Sequence, residues 1–198
     1  MKNTITIKKI LMGILAILVI SLISLGIFLY IRLNHSQNFH VVEPGVVYRS
    51  AQPDAKFIKH LWDEYGIKSI INLRNLNDNI LYKEEETISK KLGIKLINFP
   101  ISIPKGLNEN EIIKLITLLK ETPKPLLIHC KSGADRAGLA SYLYLYFISK
   151  DQKANADKQL SIFYGHIPYF KTRKIDDALE ISKNIKLNYI PALSETQK

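Results

Sequence analysis

The chain has 198 residues, 28 of them basic and 18 acidic for a formal charge of +10, and 46% are apolar. With an apolar N-terminal stretch set aside, about 165 residues remain, enough for one domain with a real core and too few for two comfortable ones. A single cysteine excludes an internal disulfide, and the positive balance asks for an anionic partner. Phosphate esters or an anionic membrane surface fit that demand; no nucleic-acid-binding motif, internal repeat or low-complexity tract is visible.

Residues 1–9 form a short leader carrying Lys2, Lys8 and Lys9. Ile10 to Ile31 then run 22 residues without a charge, broken only by Gly13, Ser21, Ser24, Gly26 and Tyr30. At about 1.5 Å per helical residue this reaches roughly 33 Å, enough to cross a bilayer. A cleaved signal peptide is the competing reading, but signal cores run only about 7–15 residues and no small-x-small site follows Tyr30, which favours an uncleaved anchor. Three lysines precede the span and only Arg32 follows closely. The positive-inside rule therefore puts the leader in the cytoplasm and the domain that follows on the far side, periplasmic in a Gram-negative cell. The part beyond the span keeps +7 of the charge.

A polar linker covers 32–44; from Asn34 to Pro44 it extends at most about 35 Å, which holds the domain near the bilayer and its lipids. The domain, 45–190, alternates strand and helix. Strands are expected around Val46–Arg49, Lys68–Leu73 and Lys95–Phe99 and in the run ending at Ile128. Helices are expected around Asp54–Tyr65, stopped by Gly66, and around Leu81–Leu92, stopped by Gly93. A third runs over Asn108–Lys120, with Ile112, Ile113, Ile116 and Leu119 at helical spacing and Asn108 and Glu111 as a capping box. Further helices at Ala137–Ser149, Asn155–Gly165 and Ile175–Ile185 precede a tail, 191–198, expected to be disordered. This order predicts an α/β fold, a parallel-rich central sheet flanked by helices and preceded by one N-terminal transmembrane helix. Ligands then bind at the carboxyl ends of the strands.

The strand Leu126-Leu127-Ile128 leads into His129-Cys130-Lys131-Ser132-Gly133-Ala134-Asp135-Arg136-Ala137-Gly138 and then a helical pattern. Five residues between Cys130 and Arg136, closed by a glycine and aimed at a helix start, let successive backbone N–H groups converge on an anion. Arg136 forks onto two of its oxygens. The same positive field favours Cys130 as a nucleophile over its bland role as a small buried residue.

These residues resemble the His-Cys-x5-Arg signature of the cysteine-dependent protein tyrosine and dual-specificity phosphatases. Tyr48-Arg49-Ser50-Ala51-Gln52-Pro53 and Ile71-Asn72-Leu73-Arg74 are similar to the opening strands of atypical bacterial and plant members, and the likeness spans about Val46 to Ile185. The loop's late position separates it from low-molecular-weight phosphatases and arsenate reductases, which carry theirs near the N-terminus. The resemblance implies a protein tyrosine phosphatase-like fold and hydrolysis of phosphate monoesters through a phosphocysteine on Cys130. Arg136 and the loop residues Lys131, Ser132, Gly133 and Ala134 would hold the substrate, and His129 would support the loop. Neither metal nor cofactor is implied.

Two positions depart from the usual pattern. The Asp that protonates the leaving group normally lies on a separate loop, but Pro100–Asn108 holds no acid, and Glu109 and Glu111 read as first-turn helix residues. Asp135 occupies a place where a branch of bacterial lipid-and-protein tyrosine phosphatases and the myotubularins carry an Asp thought to supply the acid. Its other reading is a salt partner for a nearby cation. Ala137 replaces the usual Ser or Thr that assists breakdown of the phosphocysteine, a task Ser132 is placed to take over or to leave unfilled. Lys131 is either a cation for phosphoinositide headgroups or an exposed lysine. Arg49 and Arg74 line the cleft or form buried ion pairs, and the stretch His166–Lys174 rests on lipid headgroups or simply connects two helices. Together these features predict a membrane-anchored phosphatase of phosphorylated protein. A phosphoinositide or other phospholipid headgroup is the alternative substrate, and a catalytically weak phosphate-binding pseudophosphatase is the rival class; the oligomeric state stays open.

Overall fold

The computed structural model describes residues 2–35, 37–75, 80–150, 152–168 and 172–185, and the chain divides into two units after Ser36. The first unit is one helix, α1 (Lys2–His35). Its segment Ile7–Phe28 has 22 residues and a mean hydropathy of 2.9, overlapping the predicted span. That is the length and composition of a membrane span, and an apolar N-terminal helix of this kind also serves as a signal sequence.

The second unit holds a five-stranded sheet in the order β1-β2-β5-β3-β4. Strands β2 (Val47–Ser50), β3 (Ser69–Asn72), β4 (Lys95–Asn98) and β5 (Leu126–His129) are parallel, with β5 paired to both β2 and β3. Their apolar runs are continuous because both faces are covered. Val47, Ile71, Leu126 and Ile128 pack under α4 (Glu109–Glu121), α5 (Asp135–Phe147) and α6 (Arg173–Lys183). Tyr48, Ile70 and Leu127 point the other way, against α2 (Ala55–Tyr65) and α3 (Ile80–Leu92). Local chemistry sets the helix ends where it was expected to. Asp54 caps α2 by accepting from Phe57 N, Gly66 closes it with φ 62°, and Asn108 and Glu111 form the capping box of α4.

Two expectations are corrected. The stretch read as linker contains β1 (His40–Glu43), which runs antiparallel to β2 and makes the sheet mixed. It is a short edge strand that sends only Val42 into the core, so it lacks a strand's usual apolar alternation. The helix expected over Asn155–Gly165 is three single 3-10 turns, Lys153–Asn155, Asp157–Gln159 and Ile162–Tyr164. Ile162 and Phe163 stand 59% and 67% exposed, so this stretch has no continuous apolar face for a helix to bury. The predicted tail 191–198 and the last residues of the predicted domain lie outside the described residues, as do 169–171 of the basic-aromatic stretch.

Candidate active site

β5 ends with His129 level with Ser50 of β2 and Asn72 of β3, so Cys130 leaves the sheet between two strand ends. Five residues later the chain enters α5, whose N-cap position is Ala134 with no side-chain cap. Its first-turn N–H groups are left for another acceptor, and they carry the positive end of the helix dipole. Cys130 is 1% exposed, beneath a loop whose Lys131 and Ser132 are exposed and whose Gly133 and Ala134 are buried. Gly133 adopts φ +72°, and a Cβ there would lie 2.6 Å from Ala51 N and 2.7 Å from Ser50 C. Only glycine lets the loop rest against the end of β2. Gly133→Ala should therefore destabilise the domain by about 2 kcal/mol or more. It should also weaken oxyanion binding; thermal denaturation with and without vanadate checks both, and an unchanged melting temperature would show that the loop can back away.

Three sets of contacts fix the loop from behind. Arg49 is fully buried on β2: its Nη2 donates to the carbonyls of Gly133 (2.6 Å) and Ala134 (3.0 Å), and its Nη1 to Gln159 O (2.7 Å) and Oε1 (2.9 Å). The guanidinium also lies 4.6 Å from the centre of the Tyr164 ring. Burial lowers its pKa from 12.5 to about 10, with Cys130, Tyr164 and Asp135 opposing the shift, so it stays charged at neutral pH. Asn38 Nδ2 donates to Ser132 O and Tyr164 O, both at 2.9 Å. His129, with no exposed surface, places Nε2 2.6 Å from Oε1 of the equally buried Glu85, whose other oxygen accepts from Asn72 Nδ2 (3.1 Å) and Gln52 Nε2 (3.0 Å).

Arg136 sits in the first turn of α5, with Nη1 near the carbonyls of Leu73 (3.3 Å) and Ile101 (3.4 Å). Its Nε is buried without a hydrogen-bond partner among the described residues. Asp135 Oδ1 lies 2.8 Å from His166 Nδ1, and His166 Nε2 lies 3.0 Å from Asp176 Oδ1 on α6. Ala137 is fully buried in the core. The stretch Pro100–Asn108 borders a cavity of about 390 Å³, and Glu111 at its rim is spent on the capping box, accepting from Asn108 N at 2.9 Å. Arg74 reaches Gln52 Oε1 at 2.6 Å. Arg49 is bonded to loop carbonyls and an amide instead of a carboxylate, and neither buried ion pair expected for these arginines forms among the described residues.

Sequence reasoning missed Glu85, Asn38, Gln159, His166 and Asp176. Glu85 lies within Lys83-Glu84-Glu85-Glu86, where nothing local separates it from its neighbours, although its position on the inner face of α3 beside Ser89 at i+4 is a usable signal. His166 follows Gly165, which has φ +82°, a turn that points the next residue back toward the core.

A cysteine-bearing loop at the carboxyl end of a central parallel strand, followed by an uncapped helix start, fits a phosphatase-like α/β fold of the protein tyrosine and dual-specificity class. Residues 33–166 match the family model described as DSP-PTPase phosphatase fused to NAD+ kinase, and the chain belongs to that family. No curated protein sequence matches it. Among solved structures it is similar to TpbA of P. aeruginosa, at 18% identity over 82% of this chain and 93% of that one, with a TM-score of 0.60. It is likewise similar to the core catalytic domain of the PP-IP phosphatase SIW14 of S. cerevisiae, at 24% identity over 78% and 94%, with a TM-score of 0.55. At these identities the likeness is one of fold.

Proposed function

We propose that the chain hydrolyses phosphate monoesters through Cys130. The observation that carries this reading is the loop itself: a cysteine just past the carboxyl end of β5, an uncapped α5 start five residues on, and Arg136 in the first turn of that helix with its Nε buried and without a hydrogen-bond partner among the described residues. Cys130 Sγ attacks phosphorus as the ester P–O bond breaks, Asp135 protonates the leaving oxygen, and Arg136 and the loop amides of Lys131 to Ala134 hold the remaining oxygens. Water then attacks phosphorus, the S–P bond breaks and phosphate leaves. Cys130 is 1% exposed, so the loop has to admit the phosphoryl group before Sγ can attack it.

The family default substrate is phosphotyrosyl or dual-specificity phosphoprotein, and one TpbA structure holds pTyr. A second reading, a phosphorylated lipid headgroup, is supported by Lys131, which stands exposed in the loop one residue after Cys130, and by the net positive charge of the chain. The test is phosphate release by the full chain in lipid vesicles: p-nitrophenyl phosphate first, then phosphotyrosyl peptides against vesicles containing a phosphoinositide. Preference for the vesicle substrate would favour the lipid reading and preference for the peptides the protein reading. Oxyanion binding without any phosphate release would make the chain a pseudophosphatase.

A further inference from the structure

We propose that His166 is a positioning residue that stores the proton Asp135 delivers to the leaving group, with Asp176 holding the imidazole in place; this rests on the reading of Asp135 as the general acid. His166 is 4% exposed and comes from the connection after the last 3-10 turn, while its two carboxylate partners come from the starts of α5 and α6. Its ring nitrogens lie 2.8 Å from Asp135 Oδ1 and 3.0 Å from Asp176 Oδ1. A neutral imidazole has one N–H and satisfies one carboxylate. Both hydrogen bonds therefore need two protons shared by three groups.

Of the arrangements that meet that count with the same net charge, two matter for Asp135. In one, His166 is an imidazolium donating to both carboxylates. In the other, Asp135 carries the proton and donates to the bare Nδ1, while Nε2–H stays on Asp176. The proton passes between Asp135 and Nδ1 along their 2.8 Å contact. When the ester P–O bond breaks, Asp135 gives this proton to the leaving oxygen, and His166 remains neutral with Nε2–H on Asp176. The water that cleaves the S–P bond returns a proton to the pair, so the cycle closes with one water consumed per ester.

The surroundings keep the second proton in place. Burial alone would lower the pKa of His166, but the hydrogen bonds to Asp135 and Asp176 and their charges outweigh it, holding the imidazole above its ordinary 6.5. Among the described residues the charged groups bonded to His166 are Asp135 on α5 and Asp176 on α6, and Arg49 on β2 acts on Asp135 and Cys130 from behind. On α6 the adjacent Lys174 pairs with Asp177 at 2.8 Å. A purely structural clamp between α5 and α6 would use the same bonds, and kinetics separate the two roles.

The experiment compares the full chain with Asp135→Asn, His166→Gln and Asp176→Asn on aryl phosphates of graded phenol pKa, across pH. His166→Gln should slow phenyl phosphate by about 10- to 100-fold and p-nitrophenyl phosphate far less, following the pattern of Asp135→Asn. Asp176→Asn, on a side chain 33% exposed and so mild for folding, should shift the alkaline limb of kcat/KM down by about one pH unit. A graded loss in Asp135→Asn with a uniform loss in His166→Gln overturns the role of His166 alone. A uniform loss in Asp135→Asn removes Asp135 as the acid and His166 with it. An alkaline limb unmoved by Asp176→Asn also overturns the proposal, and it does so even if His166→Gln fails to fold.

Discussion

Cys130→Ser should leave a folded protein that still binds vanadate or phosphate while turnover falls by about a thousandfold or more. The hydroxyl is close to the thiol in size but stays protonated at neutral pH, so the nucleophile disappears. The cradle does not, because nothing that shapes it runs through sulfur. Gly133 and Ala134 are held by Arg49, Ser132 by Asn38, and His129 by Glu85. Phosphate release from p-nitrophenyl phosphate under full metal chelation, paired with vanadate binding by calorimetry, gives both readouts. Retained turnover would place the chemistry elsewhere, and lost binding with retained folding would make the thiolate part of the anion site.

The parts of this fold that were legible in the sequence are those decided within a few residues. Asp54 and Gly66 bracket α2, and Asn108 with Glu111 opens α4, because caps act over one turn. The stretch from Cys130 to Arg136 is likewise local, since a short loop between a buried strand and a helix has few ways to turn. The supporting contacts are another matter. Asn38 lies 94 positions from Ser132, and Arg49 lies 110 from Gln159 and 84 from Gly133. Such pairings depend on strand order, and strand order brings β2, with β1 on its outer side, beside a β5 that comes late in the chain. Glu85 shows the same limit, since three distant segments convert one glutamate among several into a buried acceptor.

Arg49 separates loop chemistry from loop architecture. Exchanging it for Met keeps an apolar, unbranched stem but removes the guanidinium over Tyr164 and every donor, so the carbonyls of Gly133, Ala134 and Gln159 lose their shared partner in a buried site. Hydrogen bonds to a charged donor contribute about 1.5–3 kcal/mol each, and unpartnered buried acceptors add desolvation cost, which together put Arg49→Met at about 3–5 kcal/mol of lost stability. In a domain of this size that lowers Tm by about 10 °C or more. Freed carbonyls also turn toward the cradle and oppose an anion, so phosphatase activity and vanadate binding should fall together even below the new Tm. Arg49→Lys should recover only part of either, since one ammonium cannot span the four acceptors that two guanidinium nitrogens reach. Measuring Tm and vanadate affinity for both variants tests this. A Met variant that melts early but binds vanadate normally would show that Arg49 serves the core and that the loop closes on its own.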